Sequence, residues 1–403
     1  MPSAVRRTLK FLSDVARMAG RGGMALLALL VSIGKRLGIA VLLLLLSMAA
    51  LEVTLRALHP YILPVKISNE IATGYRLGWD GIYEWRSDLD SMFMKPKFHR
   101  QMWFNGYQWE HQTDELGFRN PETYEQADVV LLGDSMIYGH GAEEQDTVRY
   151  YLARDLSMTV ANLGMQGAAI HNEYQILRHY GLGLDPRFVV VFFLANDVST
   201  DLQTYLTDDE MLRFIQSPPD QLEVDYFEPL RRSDTDRMLD DFKSFYSVRA
   251  LDILRRLLGI GVPDASAARI HRWTQRESLA MFFNGEALKR MDAMAAQQGA
   301  QLLHVFVYTG GTYYRGEDAY EESLRDVCRR NGIGWLSLRE AMQSVRDRGL
   351  DPFLPGDGHF SAAGAEAAAA AVAEWIRSRE TGLDGLVPDS PEQTREETFP
   401  PLH

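Results

Sequence analysis

One stretch near the middle of the chain limits the fold more than any other: residues 129–141, with the sequence VVLLGDSMIYGHG. Its first four residues are apolar and run directly into Gly133, Asp134 and Ser135. A short apolar run closed by glycine is typical of a buried strand that ends in a sharp turn. Ser135 would then lie past the carboxyl end of that strand, where open α/β sheets hold their ligands. The alternative interpretation is that Asp134 or Ser135 only caps a following helix.

Residues 127–379 alternate between strand patterns and helix patterns. The predicted strands lie at 128–133, 158–163, 188–195, 301–308 and 334–338, and the predicted helices lie near 143–156, 170–180, 285–298, 318–331 and 362–379. Strands that alternate with helices form a parallel sheet through right-handed crossovers. Residues 189–194, VVVFFL, are apolar on both faces, as expected of a central parallel strand. The sequence therefore predicts an α/β domain.

The N-terminus predicts a membrane anchor. Residues 1–36 form a basic segment with seven Lys or Arg and one acid, and residues 37–51 carry no charge. The predicted transmembrane anchor spans 37–58, because about 20 residues are needed to cross a bilayer. Basic flanks remain cytoplasmic, so we expect a single-pass protein of the inner membrane with a periplasmic domain. A cleaved signal peptide with a site near Ala50 is the alternative interpretation.

Composition narrows the function classes. The formal net charge is −13, so nothing favours a nucleic-acid partner. The chain has one cysteine, Cys328, which excludes an intrachain disulfide and a cysteine-based zinc site.

Three regions around the α/β core carry separate expectations. Residues 59–126 are expected to be an irregular extension that packs on the domain, with a compact structural turn at 114–120 in which Phe118 is buried and Arg119 pairs with a carboxylate. An insertion at 200–284 becomes amphipathic near residues 242–258, which favours a helical cap packed on the domain; a lid or a membrane-facing helix are the alternatives. Residues 380–403 have the composition of a disordered tail.

Two residues near the end of the domain are candidate partners for Ser135. A nucleophilic serine needs a base that takes its proton and a group that orients the base. In the loop FLPGDGHFS at 353–361, Asp357 precedes His359 by two residues. Residues two apart in an extended loop point the same way, so Asp357 can reach Nδ1 of His359 and leave Nε2 for Ser135. Read alone, His359 is an ordinary residue of a surface loop.

Acyl transfer also requires donors for the oxyanion of the tetrahedral intermediate. Gly164 follows the predicted second strand, and its N–H is a candidate donor. Asn196 follows the third strand, where its side-chain amide is a second candidate, although a turn-forming Asn gives the same pattern. Ser135, Gly164, Asn196 and His359 thus each follow a predicted strand at one edge of one sheet.

This arrangement resembles the SGNH/GDSL hydrolase superfamily, whose four blocks match Gly133-Asp134-Ser135, Gly164, Asn196-Asp197 and Asp357-Gly358-His359. The resemblance covers about 127–379, together with the Leu-Gly-Phe-Arg turn at 116–119 that anchored bacterial members share. It implies a flavodoxin-like three-layer α/β/α sandwich with a five-stranded parallel sheet in the order 2-1-3-4-5. An N-terminal transmembrane helix is expected in addition.

The resemblance implies roles for individual residues. Ser135 is the expected nucleophile, His359 the base and Asp357 its orienting acid. The N–H groups of Ser135 and Gly164 and the amide of Asn196 form the expected oxyanion hole, with no metal and no organic cofactor. Two features depart from the usual pattern: the third block begins with Leu rather than Gly, and the last block is Asp-x-His rather than Asp-x-x-His. The shorter spacing also resembles the polysaccharide O-acetyltransferase branch of the superfamily.

The resemblance and the predicted location together predict a membrane-anchored extracytoplasmic serine esterase. The expected substrate is an O-acetyl group on an envelope or exported glycan, and the expected setting is the envelope polysaccharide machinery. The alternatives are an O-acetyltransferase that acts on polysaccharide, a lipid esterase, and a non-catalytic glycan-binding scaffold.

Overall fold

The computed structural model describes residues 3–59, 67, 81–86, 91–194, 210, 213–214, 242, 245–258, 260, 267–316 and 320–381. In chain order, the main helices and strands are α1 (Ser3–Leu58), β1 (Tyr83–Arg86), β2 (Ser91–Met94), β3 (His99–Phe104), β4 (Tyr107–Gln112), β5 (Val129–Leu132), α2 (Ser135–Tyr138), α3 (Val148–Leu156), β6 (Val160–Asn162), α4 (Ile170–Ile176), β7 (Phe188–Leu194), α5 (Tyr246–Leu257), α6 (Ala267–Gln297), β8 (Gln301–Val307), α7 (Gly310–Arg315), α8 (Glu321–Asn331), β9 (Gly334–Ser337), α9 (Arg339–Asp347) and α10 (Ala362–Glu380). These elements fall into two compact units, one formed by Met1–Gly74 with Phe242–Ile260 and the other by Tyr75–Asp241 with Gly261–His403.

The larger unit is built on a five-stranded sheet in the order β6-β5-β7-β8-β9. Every pair of neighbouring strands is parallel, so the predicted order 2-1-3-4-5 is confirmed. All residues of β5 and of β7 are buried, because strands in the middle of a parallel sheet are covered by helices on both faces.

Helices cover the sheet in two groups, which gives the expected three-layer sandwich. On one side α3 and α9 pack against α10, and α4 packs against α6 in the other group. The last helix, α10, is rich in alanine and buries nine of its residues. Small side chains let this helix approach its neighbours closely.

The expectation of an irregular extension at 59–126 misses two antiparallel hairpins, β1–β2 and β3–β4. The second hairpin turns at Asn105-Gly106, where both residues have positive φ, +52° and +90°. Asn-Gly between two runs of alternating apolar residues is a strong hairpin signal, since both central positions of a type I′ turn need this conformation. The sequence WFNGYQW at 103–109 therefore predicts a hairpin, although the mixed composition of the whole segment led to the expectation of an irregular extension.

Several helices differ from the predicted pattern. Helix α6 begins at Ala267, so it includes residues assigned to the end of the insertion at 200–284. Helix α9 was not predicted, although Met342 and Val345 form a short buried stripe at helical spacing. Of the predicted tail at 380–403, only the end of α10 and Thr381 are among the described residues.

In the smaller unit, the basic segment and the anchor are one continuous helix, α1, of 56 residues. Its part Val31–Leu58, with mean hydropathy 2.3, is long and apolar enough to cross a membrane. A signal sequence near an N-terminus has the same property, so both interpretations of the N-terminus stay open. The amphipathic segment predicted near 242–258 forms α5, which groups with α1 in this unit.

Candidate active site

The end of β5 places Ser135 at the carboxyl edge of the sheet. The turn requires glycine at position 133, because a Cβ there would lie 2.6 Å from the Ile137 side chain. Asp134 caps α2, with Oδ1 accepting a hydrogen bond from the Met136 N–H at 2.9 Å. Asp134 therefore has the capping role that the sequence left open. Ser135 is the first residue of α2, and its hydroxyl lies 3.4 Å from Asp134 Oδ2.

A short hairpin-like loop holds His359. The Leu354 N–H donates to the His359 carbonyl at 2.8 Å, and the backbones of Phe353 and Phe360 form an isolated bridge. Gly358 has φ +124°, a backbone conformation that residues other than glycine rarely adopt. The loop therefore returns on itself within a few residues and presents the His359 ring to the sheet edge.

Ser135, His359 and Asp357 lie in one hydrogen-bonded series. His359 Nε2 lies 2.8 Å from Ser135 Oγ, and His359 Nδ1 is hydrogen-bonded to Asp357 Oδ1. The backbone N–H of His359 donates to the same carboxylate oxygen at 3.2 Å. The Asp357 side chain is only 3% exposed, whereas the His359 side chain is 22% exposed. The ring can thus meet an incoming molecule on one side while the carboxylate stays covered.

The predicted oxyanion donors have different surroundings. The N–H of Ser135 has no acceptor among the described residues. The N–H of Gly164 donates to Asn162 Oδ1 at 2.9 Å, so a role in substrate binding would require this bond to be shared or broken. Asn196 lies outside the described residues. The assignments of Gly164 and Asn196 therefore stay predictions.

Gly167, in the same loop as Gly164, was not singled out from the sequence. It is exposed with φ +76°, and nothing among the described residues accepts a hydrogen bond from its N–H. The Met165 N–H donates to the Gly133 carbonyl at 3.0 Å, which holds this loop beside the turn that carries Ser135. In the sequence, only the position of Gly167 two residues beyond Met165 could indicate a role, and a second glycine in a loop is a weak indication.

A sequence model described as the GDSL-like Lipase/Acylhydrolase family matches residues 131–367, more than half of the chain. The chain belongs to that family. The matched region runs from β5 to α10 and contains Ser135, Asp357 and His359. The protein is therefore an SGNH/GDSL-type hydrolase, and the resemblance noted from the sequence is confirmed at the level of the superfamily. No curated protein matches the chain.

Solved structures with a similar fold include members of the same class. A lipolytic protein of the G-D-S-L family from Desulfitobacterium hafniense is 12% identical over 61% of this chain and 97% of its own, with a TM-score of 0.35. A lipase/acylhydrolase from Enterococcus faecalis is 18% identical over 62% and 95%, with a TM-score of 0.35. A catalytic mutant of an acetylxylan esterase from Geobacillus stearothermophilus is 12% identical over 63% and 95%, with a TM-score of 0.36. Likeness at this level carries no conclusion about substrate.

A second histidine lies against the GDSL site. His140 is 4% exposed, and its ring stacks on that of His359 with centroids 4.1 Å apart and 25° between the planes. His140 Nε2 lies 4.0 Å from Asp357 Oδ2. Burial opposes ionisation of Asp357, but the hydrogen bond from His359 and the charges of both imidazoles outweigh it and lower the pKa of this carboxyl. Asp357 is therefore the anionic centre of this part of the site.

The same three side chains are the natural candidates for a metal site, since their ligand atoms all lie within 4.8 Å of one another. The stacked rings of His140 and His359 argue against it, because ring-nitrogen lone pairs lie in the ring planes and here run nearly parallel. Both ring nitrogens of His359 are also hydrogen-bonded already. The arrangement fits proton transfer better than metal binding, and the absence of a metal cofactor stays a prediction.

The Asn105-Gly106 turn contributes residues that the sequence analysis missed. Asn105 Nδ2 donates to the Gly356 carbonyl at 2.7 Å and to Asp357 Oδ2 at 3.3 Å. The Tyr107 hydroxyl donates to the Pro355 carbonyl. The hairpin therefore holds the loop that carries Asp357 from the side opposite His359. The Asn-Gly signal in the sequence predicts the turn, but not its contacts with residues 248–252 positions away.

Arg119 holds the backbone that follows Ser135. The prediction that it pairs with a carboxylate is wrong: its guanidinium donates to four backbone carbonyls, those of Glu110, Tyr138, Gly139 and Ala142, at 2.6–3.3 Å. A guanidinium has five N–H donors, so it can satisfy several carbonyls at once where an irregular backbone turns. Phe118, next to it, is fully buried as expected.

Asn120 links the same turn to the strand beside β5. It donates to the Asn162 carbonyl at 3.1 Å and accepts from the Asn162 N–H at 2.8 Å. The Asn162 side chain in turn donates to the Ile137 carbonyl at 2.8 Å and accepts from the Gly164 N–H. The turn at 114–120 thus positions both the helix that begins with Ser135 and the neighbouring loop, which agrees with the structural role predicted for it.

Proposed function

We propose that this protein is a membrane-anchored extracytoplasmic esterase in which Ser135 attacks the ester carbonyl. The observation that carries the proposal is the continuous series from Ser135 Oγ through His359 to Asp357, with 2.8 Å between Oγ and Nε2. Membership of the GDSL-like family supports it, because that family is described as lipases and acylhydrolases.

The proposed reaction has two halves. In the first, His359 Nε2 accepts the Ser135 hydroxyl proton while Oγ bonds to the acyl carbon; the imidazolium then protonates the departing alcohol oxygen and an acyl-serine forms. In the second, His359 takes a proton from water, which attacks the acyl-serine and releases the carboxylic acid and free Ser135. Asp357 keeps Nδ1 protonated throughout, so that Nε2 is the nitrogen that exchanges protons.

For the oxyanion we propose the N–H groups of Ser135 and Gly167 as backbone donors, with the Asn196 amide as a third. Ser135 and Gly167 are favoured because neither N–H has an acceptor among the described residues. The N–H of Gly164, in contrast, donates to Asn162. Loss of a single side-chain donor of this kind typically costs about 10²–10³ in turnover, so Asn196→Ala is expected to lower kcat within that range.

The proposed substrate is an O-acetyl ester on an envelope or exported glycan. This part of the proposal depends on the predicted location of the domain and on the resemblance stated from the sequence. A helix long and apolar enough to cross a membrane, preceded by a basic segment, supports an inner-membrane protein whose domain lies outside the cytoplasm. A glycan of the cell envelope is the acylated polymer within reach there.

Peptide mass spectrometry tests the nucleophile. The full chain in detergent is exposed briefly to an activated acetyl ester and then digested. One acetyl group on the peptide that carries Ser135 is expected, with no adduct in Ser135→Ala and no adduct on the buried thiol of Cys328. A folded protein that hydrolyses no ester and forms no adduct would identify a non-catalytic member of the family.

The substrate and location need separate measurements. Acetylated glycans should be turned over with a higher kcat/KM than esters of long acyl chains, and added deacetylated glycan should not collect the acetyl group. Transfer to that glycan would favour the O-acetyltransferase, to which the Asp-x-His spacing is similar. A C-terminal reporter active only in the cytoplasm would contradict the proposed topology, and a mature protein that lacks its N-terminus would identify a signal peptide.

A further inference from the structure

Helix α5 is fastened at its first turn to the last turns of α1. The Ser247 N–H donates to Glu52 Oε2 at 2.7 Å, and the Arg56 guanidinium lies 4.5 Å from the centre of the Tyr246 ring. Glu52 and Arg56 are themselves an ion pair at 2.7 Å. His59 packs edge-on against Tyr246, with ring centroids 5.3 Å apart. The start of α5 is therefore fixed at the level where the apolar stretch Val31–Leu58 ends.

From that point α5 carries an uncovered apolar stripe. Leu251, Leu254 and Leu257 are spaced by three residues on one side of the helix and are 47%, 50% and 78% exposed. Leu258 and Ile260 continue the stripe and are also exposed. Side chains of this size are seldom left in water as a contiguous group on a soluble surface, and such groups mark interaction sites.

The other side of α5 is charged and internally paired. Asp252 forms ion pairs with Arg255 at 2.9 Å and with Arg256 at 3.2 Å. With Arg249 the helix holds three arginines and one acid, a local charge of +2 in a chain of net charge −13. A basic face opposite an apolar stripe is typical of helices that lie in the interface of an anionic membrane.

We propose that α5 lies in the plane of the membrane interface, with Leu251, Leu254 and Leu257 at the boundary of the acyl chains and its arginines toward anionic lipid headgroups. The membrane is the occupant that the contacts favour, because α5 begins beside the end of the helix that is to cross it. A helix of 12 residues is about 18 Å long, so its apolar stripe stays close to that crossing point. The inference rests on the membrane anchor in the proposed function.

A fluorescent label placed on each side of α5 tests the inference. Leu254→Cys and, as the matched control, Arg256→Cys are made in the full chain and labelled with an environment-sensitive dye. Cys328 does not interfere, since burial raises the pKa of its thiol to about 12 and keeps it unreactive. Each protein is reconstituted in vesicles of equal parts phosphatidylcholine and phosphatidylglycerol, with and without brominated acyl chains.

The label at Leu254 is expected to emit at shorter wavelength and to be quenched several-fold more strongly by brominated lipid than the label at Arg256. Equal and weak quenching at both positions would overturn the inference. A blue-shifted label at Leu254 that brominated lipid does not quench, and that depends on protein concentration, would assign the stripe to a second copy of this chain and also overturn it.

Protection of the N-terminus from protease in the same vesicles separates this inference from the anchor. A protected N-terminus with a water-exposed Leu254 label means that α1 crosses the membrane and only the α5 inference fails. If the N-terminus and the domain after α1 are both fully accessible to protease, α1 does not cross, and then both the anchor and the α5 inference fail.

Discussion

Two aspartates in two short turns of this protein show how surroundings decide what a carboxylate does. Asp114 Oδ1 accepts three successive backbone N–H groups, those of residues 116–118, each at 2.9 Å, and Oδ2 accepts from Asn120 at 3.0 Å. Asp357 instead accepts from the His359 ring and its backbone N–H, with Asn105 on the other oxygen. One carboxylate organises backbone, and the other organises a histidine.

The electrostatics of the two turns differ in the same way. Burial raises the pKa of Asp114, and its Asn120 and backbone hydrogen bonds only partly offset this. For Asp357, burial also opposes the charge, but hydrogen bonding and attraction from His359 and His140 lower the pKa. Neutral amide donors complete the hydrogen bonds of the Asp114 carboxylate, whereas imidazoles that can carry a positive charge stabilise the Asp357 anion itself. The turn at 114–120 is therefore fitted to hold a structure, and the turn at 356–359 to orient a base.

The largest expected loss of turnover follows substitution of Ser135 or His359, the two residues linked to Asp357 by hydrogen bonds. Ser135→Ala and His359→Ala should each lower turnover of an activated acetyl ester by about 10⁶-fold, since they act as one unit. The double variant should be hardly slower than either single one. Steady-state kinetics on the detergent-solubilised full chain measure this, and circular dichroism confirms that each variant is folded. Additive losses would mean that Ser135 and His359 do not act together.

The same substitution in both turns gives the sharpest test of the comparison. Asp357→Asn should lower kcat by about 10⁴-fold with the fold retained, because the amide favours the wrong imidazole tautomer. Asp114→Asn should leave turnover per folded molecule close to that of the unsubstituted protein. Near-normal kcat in Asp357→Asn would mean that another group orients His359 and that the short Asp-x-His spacing is not used.

The turn at 114–120 should show its effect in stability. Asn120→Ala leaves the backbone N–H and carbonyl of Asn162 without a partner, and a loss of unfolding free energy on the order of 3 kcal/mol is expected. Urea unfolding monitored by tryptophan fluorescence measures it. Asn331→Ala is a matched control at an exposed helix end and should change stability by less than about 0.5 kcal/mol. Equal effects of the two variants on stability would show that the hydrogen bonds of Asn120 to the Asn162 backbone do not stabilise the fold.

The smallest expected effect is the opposite pH dependence of the two carboxylates. Because the pKa of Asp357 is lower in the folded state, its stabilisation is present above the unfolded value of 3.8 and is lost as pH falls through the folded pKa. The pKa of Asp114 is raised, so folding gains stability as pH falls toward 3.8 from above. Urea unfolding at several pH values should show a weaker acid loss in Asp357→Asn and a smaller gain above 3.8 in Asp114→Asn. The same pH profile in both variants would contradict the assignment.

The part of the chain from β5 to α10 could be predicted well because its signals are local. An apolar run such as Phe188–Leu194 must be covered on both faces, so it predicts a central parallel strand without knowledge of its neighbours. The pair Asp357 and His359 lies two residues apart in one loop, so their contact also follows from local geometry. Helix α9 was missed because it is short and buries only two apolar side chains, Met342 and Val345.

Residue types and their order along the chain thus determined the alternating strands and helices of a parallel sheet and the candidate nucleophile with its base, and the resemblance to the superfamily added the strand order. Only the tertiary structure decided which groups hold them: Asn105 against the loop of Asp357, Arg119 on four carbonyls rather than a carboxylate, and Asn162 on the N–H of Gly164. It also placed α5 beside α1, although 187 residues lie between the end of α1 at Leu58 and the start of α5 at Tyr246. The physical reason is that a polar side chain or an amphipathic face can be satisfied by many partners, and the partner it meets depends on how distant segments pack.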